Sequence, residues 1–452
     1  MGRGVPRPVA RVPGLPGVAG VPGCDRRTGR LRPAPHPGGG AGRTARGPTV
    51  TLSIRTIATD EIDAFIRAFR AVFGGAPDAQ DLARARLRLE CDRSFVAVDG
   101  RDEVVATAGA HSFAMSLPGG GRLGCAGITL VSVRADQRRR GLLTRLMERL
   151  LQQAHERGDA IAALWASETP IYGRFGFGPA ISTVEITLDR DHAALQHPGP
   201  VEEVRLVDHS LAREAFPAIR GQVSATRPGL LTRPAGFWDS LLDEETTSPS
   251  GSGPRLHALL PGRAYAIYRL RPDWTDGAPT GQVVVSELHA TDAEAAAAMW
   301  RFVTDVDLAS STVAGRRPVD DPVLAMVVDR GRTRVAEDWP LQVRVLDLAR
   351  VLSTRTYGTD GALVLEVHDR QLPEQAGRWH LEVSGGRGSC RRTDRPADVR
   401  LDIAALSTVV LGGARTTQLA AAGRVSEDGD DAAAHLDRLL ATDVAPWQEF
   451  MF

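Results

Sequence analysis

A chain of 452 residues exceeds the length over which one hydrophobic core keeps growing, so two or three domains of roughly 100–200 residues are expected. Its 42% hydrophobic and 24% charged residues read as globular, and no apolar run reaches the length of about 18 residues that a membrane-spanning helix needs. All 55 basic residues are arginine, which excludes Walker-A loops, pyridoxal Schiff bases and lysine aldolase chemistry and leaves His, carboxylate, Tyr or Cys as the side-chain bases.

The zero net charge is unevenly spread. Residues 1–48 hold nine arginines against Asp25 alone, so the remainder carries a charge of −8. An acidic body disfavours general nucleic-acid binding and suits a cationic small substrate. Cys24, Cys91, Cys125 and Cys390 form no CxxC pair, so neither a disulfide framework nor a zinc site is expected, and a reducing, cytoplasmic compartment fits.

In chain order, residues 1–48 are rich in Gly and Pro with no apolar period, which predicts a disordered extension. Regular pattern starts near Thr51. A strand is predicted at Leu52–Thr56, helices at Asp60–Val72 and Asp81–Glu90, and strands at Phe95–Val98, Val104–Leu117 and Leu123–Val133. A helix at Leu142–Arg157 follows, with Leu142, Leu146, Leu150 and Ala154 recurring at i, i+4, and then a short buried strand at Ile161–Ala166.

A second block repeats this outline with strands at Tyr265–Leu270 and Gln282–His289 and a helix at Asp292–Val306. Thr291 and Glu294 predict a capping box for that helix. A third block, after about Val335, has strands at Leu341–Leu346, Ala362–Val367 and Trp379–Val383 and helices at Ile403–Leu411 and Ala433–Ala441. The fold class is α/β (α+β). The domain limits are set at 1–48, 49–198, 199–334 and 335–452.

The most informative stretch runs from Val131 to Thr144. A strand ends, a turn carries Arg138, Arg139, Arg140 and Gly141, and an amphipathic helix begins. A helix N-terminus exposes unpaired amides and partial positive charge, and with two arginines it suits a diphosphate. The histidines show no HxxxH or HExxH spacing, so no metal is expected.

Strand, arginine-glycine turn and helix resemble the acetyl-coenzyme A signature of the GNAT superfamily of N-acetyltransferases. The string Val131 to Leu143, the string Ser167-Glu168-Thr169-Pro170-Ile171-Tyr172-Gly173-Arg174-Phe175-Gly176-Phe177-Gly178 and the aromatic C-terminal residue resemble its enhanced intracellular survival (Eis) family. Leu143 departs from the small residue usual in the superfamily, whereas a leucine there is normal in the Eis family. The resemblance covers roughly residues 50–452 and implies two tandem GNAT-like domains, the second degenerate, followed by a sterol-carrier-like domain, in a homohexamer.

It also implies roles. Val131, Ser132 and Val133 offer free backbone groups to the pantetheine arm of acetyl-CoA, Arg139, Arg140, Gly141, Leu142, Leu143 and Thr144 cradle its diphosphate, and Ser167 and Glu168 flank its far side. Tyr172 is the implied general acid toward the leaving thiolate, and the terminal carboxylate of Phe452 the implied base, raised in pKa by burial beside other carboxylates. With Met451 next to last, further acidic help toward the substrate is assigned to Glu449. No cysteine lies in either motif, which predicts direct transfer to a primary amine of an aminoglycoside- or polyamine-like molecule or of a protein lysine. Two other readings are an apolar-ligand-binding protein built on a relic acetyltransferase fold, and a nucleic-acid-binding regulator that uses the arginine-rich arm.

Overall fold

The computed structural model describes residues 52–197, 203–242, 251–338, 340–429 and 431–452; segment 1–48 and its expected disorder lie outside them. Three large sheets, beside a two-stranded one formed by Trp274–Thr275 and Ala278–Pro279, organise the described chain. The first orders Ser53–Thr56, Ser94–Val98, Val104–Ser116, Arg122–Val133, Ile161–Trp165, Leu341–Val345 and Gly178–Ile181. Its neighbours are antiparallel except Arg122–Val133 with Ile161–Trp165, which are parallel and joined by the helix Leu142–Glu156. That helix buries Leu142, Leu146, Met147, Leu150, Leu151 and Ala154 against one face of the sheet, as the i, i+4 recurrence predicts. The second predicted helix runs two residues earlier, at Ala79–Arg88, because the Asp78 carboxylate caps it by accepting from Asp81 N at 2.7 Å.

The second sheet repeats the scheme. Strand Gly281–Ala290 runs parallel to Ala309–Pro318, with helix Ala293–Thr304 between them. The predicted capping box at Thr291 and Glu294 is absent. Asp292 is the N-cap, its carboxylate accepting from Ala295 N at 2.9 Å, while the Thr291 hydroxyl donates to that same carboxylate at 3.1 Å. An ionised acceptor binds an amide more strongly than a hydroxyl does, so the carboxylate takes the cap position.

Strands cross the limits that sequence grouping suggests. Thr183–Asp189, early in the chain, pairs with Ala309–Pro318 and Arg334–Glu337 in the second sheet. Leu341–Val345, grouped by sequence with the last block, sits between two strands of the first sheet and is buried at every residue. Its polar positions, Gln342 and Arg344, are buried as well, so the alternation Leu-Gln-Val-Arg-Val marks a strand without marking which sheet it joins.

The third sheet orders Arg387–Arg392, Gly377–Ser384, Gly361–His368, Val399–Asp402 and Val425–Glu427. Its inner face and the helix Ile403–Val409 share one apolar core with Ile161, Ala163, Val343 and Val345 of the first sheet. Arg344 lies in that core, fully buried and paired with Asp369 at 2.7 Å, and burial pulls its guanidinium below the ordinary arginine range. Asp369→Ala leaves this cation uncompensated, and an equilibrium denaturation series is expected to show a loss of about 3–5 kcal/mol; an unchanged midpoint would remove the pair from the account of stability.

Candidate active site

The long hairpin formed by Val104–Ser116 and Arg122–Val133 is irregular at one point. Thr107 pairs with Ser132 and Gly109 with Thr129, so Leu130 and Val131 together face Ala108. Leu130 has a φ of 52°, a left-handed conformation uncommon for a leucine. This is a β-bulge, which bends a strand and re-aims its side chains. The Thr107 hydroxyl donates to Leu130 O at 2.7 Å and lies 2.8 Å from the Ser132 hydroxyl, which ties the bulge down.

On its other edge, the parallel ladder to Ile161–Trp165 ends at Gly127 and Ala163. Beyond that point Val131, Ser132 and Val133 have no strand partner on this side among the described residues. Next comes a turn in which Arg139 (φ 62°) and Gly141 (φ 77°) are left-handed. Gly141 is the N-cap of helix Leu142–Glu156, and no side chain caps the first turn. A β-carbon on Gly141 would meet nothing within 4 Å, so positive φ, not crowding, is what favours glycine there.

Strand edge, turn and helix start line a cavity of about 710 Å³. Val131, Ser132, Val133, Arg139, Gly141, Leu142, Leu143 and Thr144 are on its wall, and Ser167, Glu168 and Tyr172 close the other side. Arg140 is not on the wall; its guanidinium donates to the Gln137 side chain. Arg138, within Val131–Leu143, and Arg174, within Ser167–Gly178, are also on the wall, two cations that the motif resemblance does not assign to the cofactor. Glu168 precedes a short 3-10 turn but its side chain caps nothing, so the carboxylate is left facing the cavity.

Tyr172 joins two 3-10 turns, Thr169–Ile171 and Gly173–Phe175, and left-handed Gly176 closes the second. Its ring packs edge-on to Phe177 at 6.1 Å and the residue is 7% exposed. Burial, followed by the Glu168 charge, raises the phenol above its ordinary pKa. The hydroxyl therefore keeps its proton at neutral pH, which is the state a donor requires.

A second cavity, of about 480 Å³, lies across the bulge and includes Thr129, Leu130, His111, Phe237, Met451 and Phe452 on its wall. The two cavities are thus lined by consecutive residues of one strand, Thr129–Leu130 for one and Val131–Val133 for the other. The Thr129 hydroxyl donates to a carboxylate oxygen of Phe452 at 2.9 Å. The Phe452 ring packs against Phe113 at 5.2 Å and Phe450 at 6.3 Å, so the last residue is held at both ends. Thr129 carried no sequence signal, because its partner is more than three hundred residues away.

Burial pushes the His111 imidazole down to about 4, so it is neutral at pH 7. Arg70, Arg84, Arg88 and Asp81 also line this cavity, and Arg70 pairs with Asp81 at 2.8 Å. Glu449, assigned to the acceptor by sequence, lies elsewhere. It is 1% exposed and paired with Arg220 at 2.6 Å and Arg233 at 2.9 Å. Arg220 and Arg233 hold its carboxylate in the interior, which is why it does not accompany the terminal carboxylate. Glu287, His289 and Glu449 bring possible metal-ligand atoms within 4.8 Å of one another, yet both carboxylates already carry guanidinium partners.

Comparison with known proteins gives the same outline. Family models described as acetyltransferase (GNAT) domains match residues 53–180 and 229–351, and a sterol carrier protein domain model matches 348–449. An uncharacterized N-acetyltransferase of Streptomyces avermitilis is 35% identical over 412 residues, covering 88% of this chain and 99% of that protein. The N-acetyltransferase Eis of Mycobacterium tuberculosis is 34% identical over 380 residues, 81% of this chain and 91% of its own. The crystal structure of Eis1 from Mycobacterium abscessus superposes with a TM-score of 0.79 at 30% identity, covering 89% of this chain and all of the other. The chain belongs to the Eis family of GNAT N-acetyltransferases, with two GNAT domains followed by a sterol-carrier-type domain.

Proposed function

We propose that this enzyme transfers the acetyl group of acetyl-CoA directly to a primary amine, with Tyr172 as proton donor and the Phe452 carboxylate as proton acceptor. The observation that carries this reading is the pair of cavities lined by neighbouring residues of the bulged strand, one with Tyr172 on its wall and the other with the chain terminus. GNAT enzymes use acetyl-CoA as the donor, and the residues here fit it. The free edge of Val131–Val133 can pair with an amide arm as an added strand would, and the uncapped amides of Leu142, Leu143 and Thr144 with Arg139 suit a diphosphate.

The attacking amine must first lose a proton, and the terminal carboxylate is placed to take it while holding the ammonium by charge. As the amine nitrogen bonds to the thioester carbon, the carbon–sulfur bond breaks and the sulfur takes a proton from the Tyr172 hydroxyl; the second proton that the nitrogen loses on becoming an amide is released to solvent, from which the tyrosinate is reprotonated. Acceptors of the proposed class are small cationic molecules, aminoglycoside- or polyamine-like, and exposed protein lysines. Asp81 is already engaged by Arg70, so the terminal carboxylate is the anion left for the reacting ammonium among the described carboxylates on that wall. A thiol-release assay with acetyl-CoA across monoamines, polyamines, aminoglycosides and a lysine peptide tests this; release with none of them would sink the proposed acceptor class.

The reading that makes the last domain an apolar-ligand carrier has less support, since its inner face is filled by packing against the first sheet. No helix among the described residues is long and apolar enough to cross a membrane. A homohexamer remains part of the proposal through the family resemblance, and light scattering on the purified chain checks it.

The turn offers an internal control. Arg139→Ala is expected to weaken acetyl-CoA binding by about 1.5–3 kcal/mol, the contribution of a charge-assisted contact to a diphosphate. Arg140→Ala, whose guanidinium is turned to Gln137, is expected to cost much less. Calorimetry that found the two variants equal would contradict this assignment of the cradle.

A further inference from the structure

The last six residues are fixed to an unusual degree for a chain end. Trp447 N donates to Pro228 O at 2.9 Å and Trp447 Nε1 to Arg316 O at 2.7 Å. Leu231 N donates to the Gln448 side-chain carbonyl at 2.9 Å, Arg316 Nε to Glu449 O at 2.7 Å, and Trp165 Nε1 to Phe450 O at 3.1 Å. At the centre stands Glu449. Arg220 donates to its carboxylate from helix His209–Thr226 and Arg233 from just before helix Ala235–Leu242. Arg233 in turn makes two hydrogen bonds to Glu287, at 2.6 and 3.0 Å, and Glu287 accepts from the Tyr265 hydroxyl at 3.1 Å. The Arg233 guanidinium also lies 4.6 Å over the Phe450 ring.

Burial opposes charge on Glu449, but Arg220, the buried His289 beside it and Arg233 outweigh it and hold the carboxyl well below the ordinary range, so it is an anion at neutral pH. Charges buried in this way contribute little to stability compared with apolar side chains of the same volume; their best-attested use is to fix register. The tail needs register more than adhesion. Trp447, Phe450 and Phe452 supply apolar surface, which is non-directional, and a slip of one residue would move the terminal carboxylate by up to about 3.8 Å, the spacing of consecutive α-carbons, and bring a different side chain to every position along the tail.

We propose that the Arg220–Glu449–Arg233–Glu287 cluster is a clamp that sets the register of the C-terminal tail and thereby positions the Phe452 carboxylate at the Thr129 hydroxyl. Glu449, Arg220 and Arg233 are positioning residues, and the proposal rests on the reading of the terminal carboxylate as proton acceptor. It also gives the second GNAT domain a task. That domain lacks the arginine-glycine turn, yet Arg220, Arg233, Glu287 and Arg316 all come from residues 209–318, between its first helix and its parallel strand pair.

Glu449→Gln keeps the shape and removes the charge. Three quantities are measured on the full chain: release of Phe452 by carboxypeptidase A, followed by mass spectrometry; acetyl-CoA affinity by calorimetry; and kcat and KM of untrimmed protein. The expected result is release at least roughly tenfold faster than in the wild type, unchanged acetyl-CoA affinity, and a roughly tenfold or greater loss confined to kcat. If the single variant does not fold, the charge-balanced pair Arg220→Met with Glu449→Gln carries the same three measurements. Wild-type resistance to the peptidase together with wild-type kcat would overturn the clamp and leave the carboxylate reading standing, provided that deletion of Phe452 is still inactive. Rapid release of Phe452 from a variant that turns over normally before trimming would overturn both.

Discussion

Deletion of Phe452, or extension of the chain beyond it by a short tag, abolishes acetyl transfer and leaves acetyl-CoA affinity as in the wild type. The carboxylate sits at the Thr129 hydroxyl, with its own ring against Phe113. A β-carbon at Gly127 would press on the rings of both Phe113 and Phe452, so the strand beneath is shaped to the end of the chain. Deletion moves the terminal charge back to Met451, which is exposed, and a tag converts the carboxylate into a neutral amide. Either change removes the proposed proton acceptor, and loss of a positioned general base typically costs about 10²–10⁴-fold. Rates of thiol release with native and extended ends, measured beside calorimetry with acetyl-CoA, check this. An extended chain with native kcat would show that another group takes the proton.

Tyr172→Phe is expected to lower kcat by about 10²-fold or more with little change in the KM for acetyl-CoA. The ring is buried against Phe177, so phenylalanine preserves the packing and removes only the hydroxyl. Because burial and Glu168 both raise the phenol's pKa, the donor stays protonated through neutral pH, and its ionisation should produce no basic limb in kcat below about pH 10. Turnover equal to wild type in the variant would return Tyr172 to a packing role, and a limb near pH 8 that vanished in the variant would contradict the direction of the shift.

Much of the cofactor side was legible in the sequence because its signals are local. Strand, turn and helix from Val131 to Thr144 lie within one unbroken stretch, and the i, i+4 leucines mark the helix without tertiary information. The acceptor side is assembled from Ile66, Thr129, Phe237 and Phe452, far apart in the chain, and only the aromatic C-terminus pointed to it. Arg140 looked equivalent to Arg139 in a run of three arginines, but the left-handed backbone at Arg139 and Gly141 separates their directions. Closeness to Phe452 in sequence points to Glu449 at the acceptor, a criterion blind to the distant Arg220 and Arg233 that take its carboxylate. The strand Leu341–Val345 reads as belonging to the last block for a similar reason: proximity in sequence says nothing of which sheet holds a place for a strand, here between Ile161–Trp165 and Gly178–Ile181.

Direct transfer between the two cavities is the centre of this account, and a matrix of initial velocities tests it most directly. Acetyl-CoA is varied at several fixed concentrations of an accepted primary amine, with thiol release and N-acetylated product both followed. Two cavities lined by neighbouring residues of the bulged strand, with no cysteine on the described wall of either, predict intersecting double-reciprocal lines and one thiol released per acetylated amine. Parallel lines, with a burst of thiol before any amine is added, would show an acyl-enzyme and contradict direct transfer.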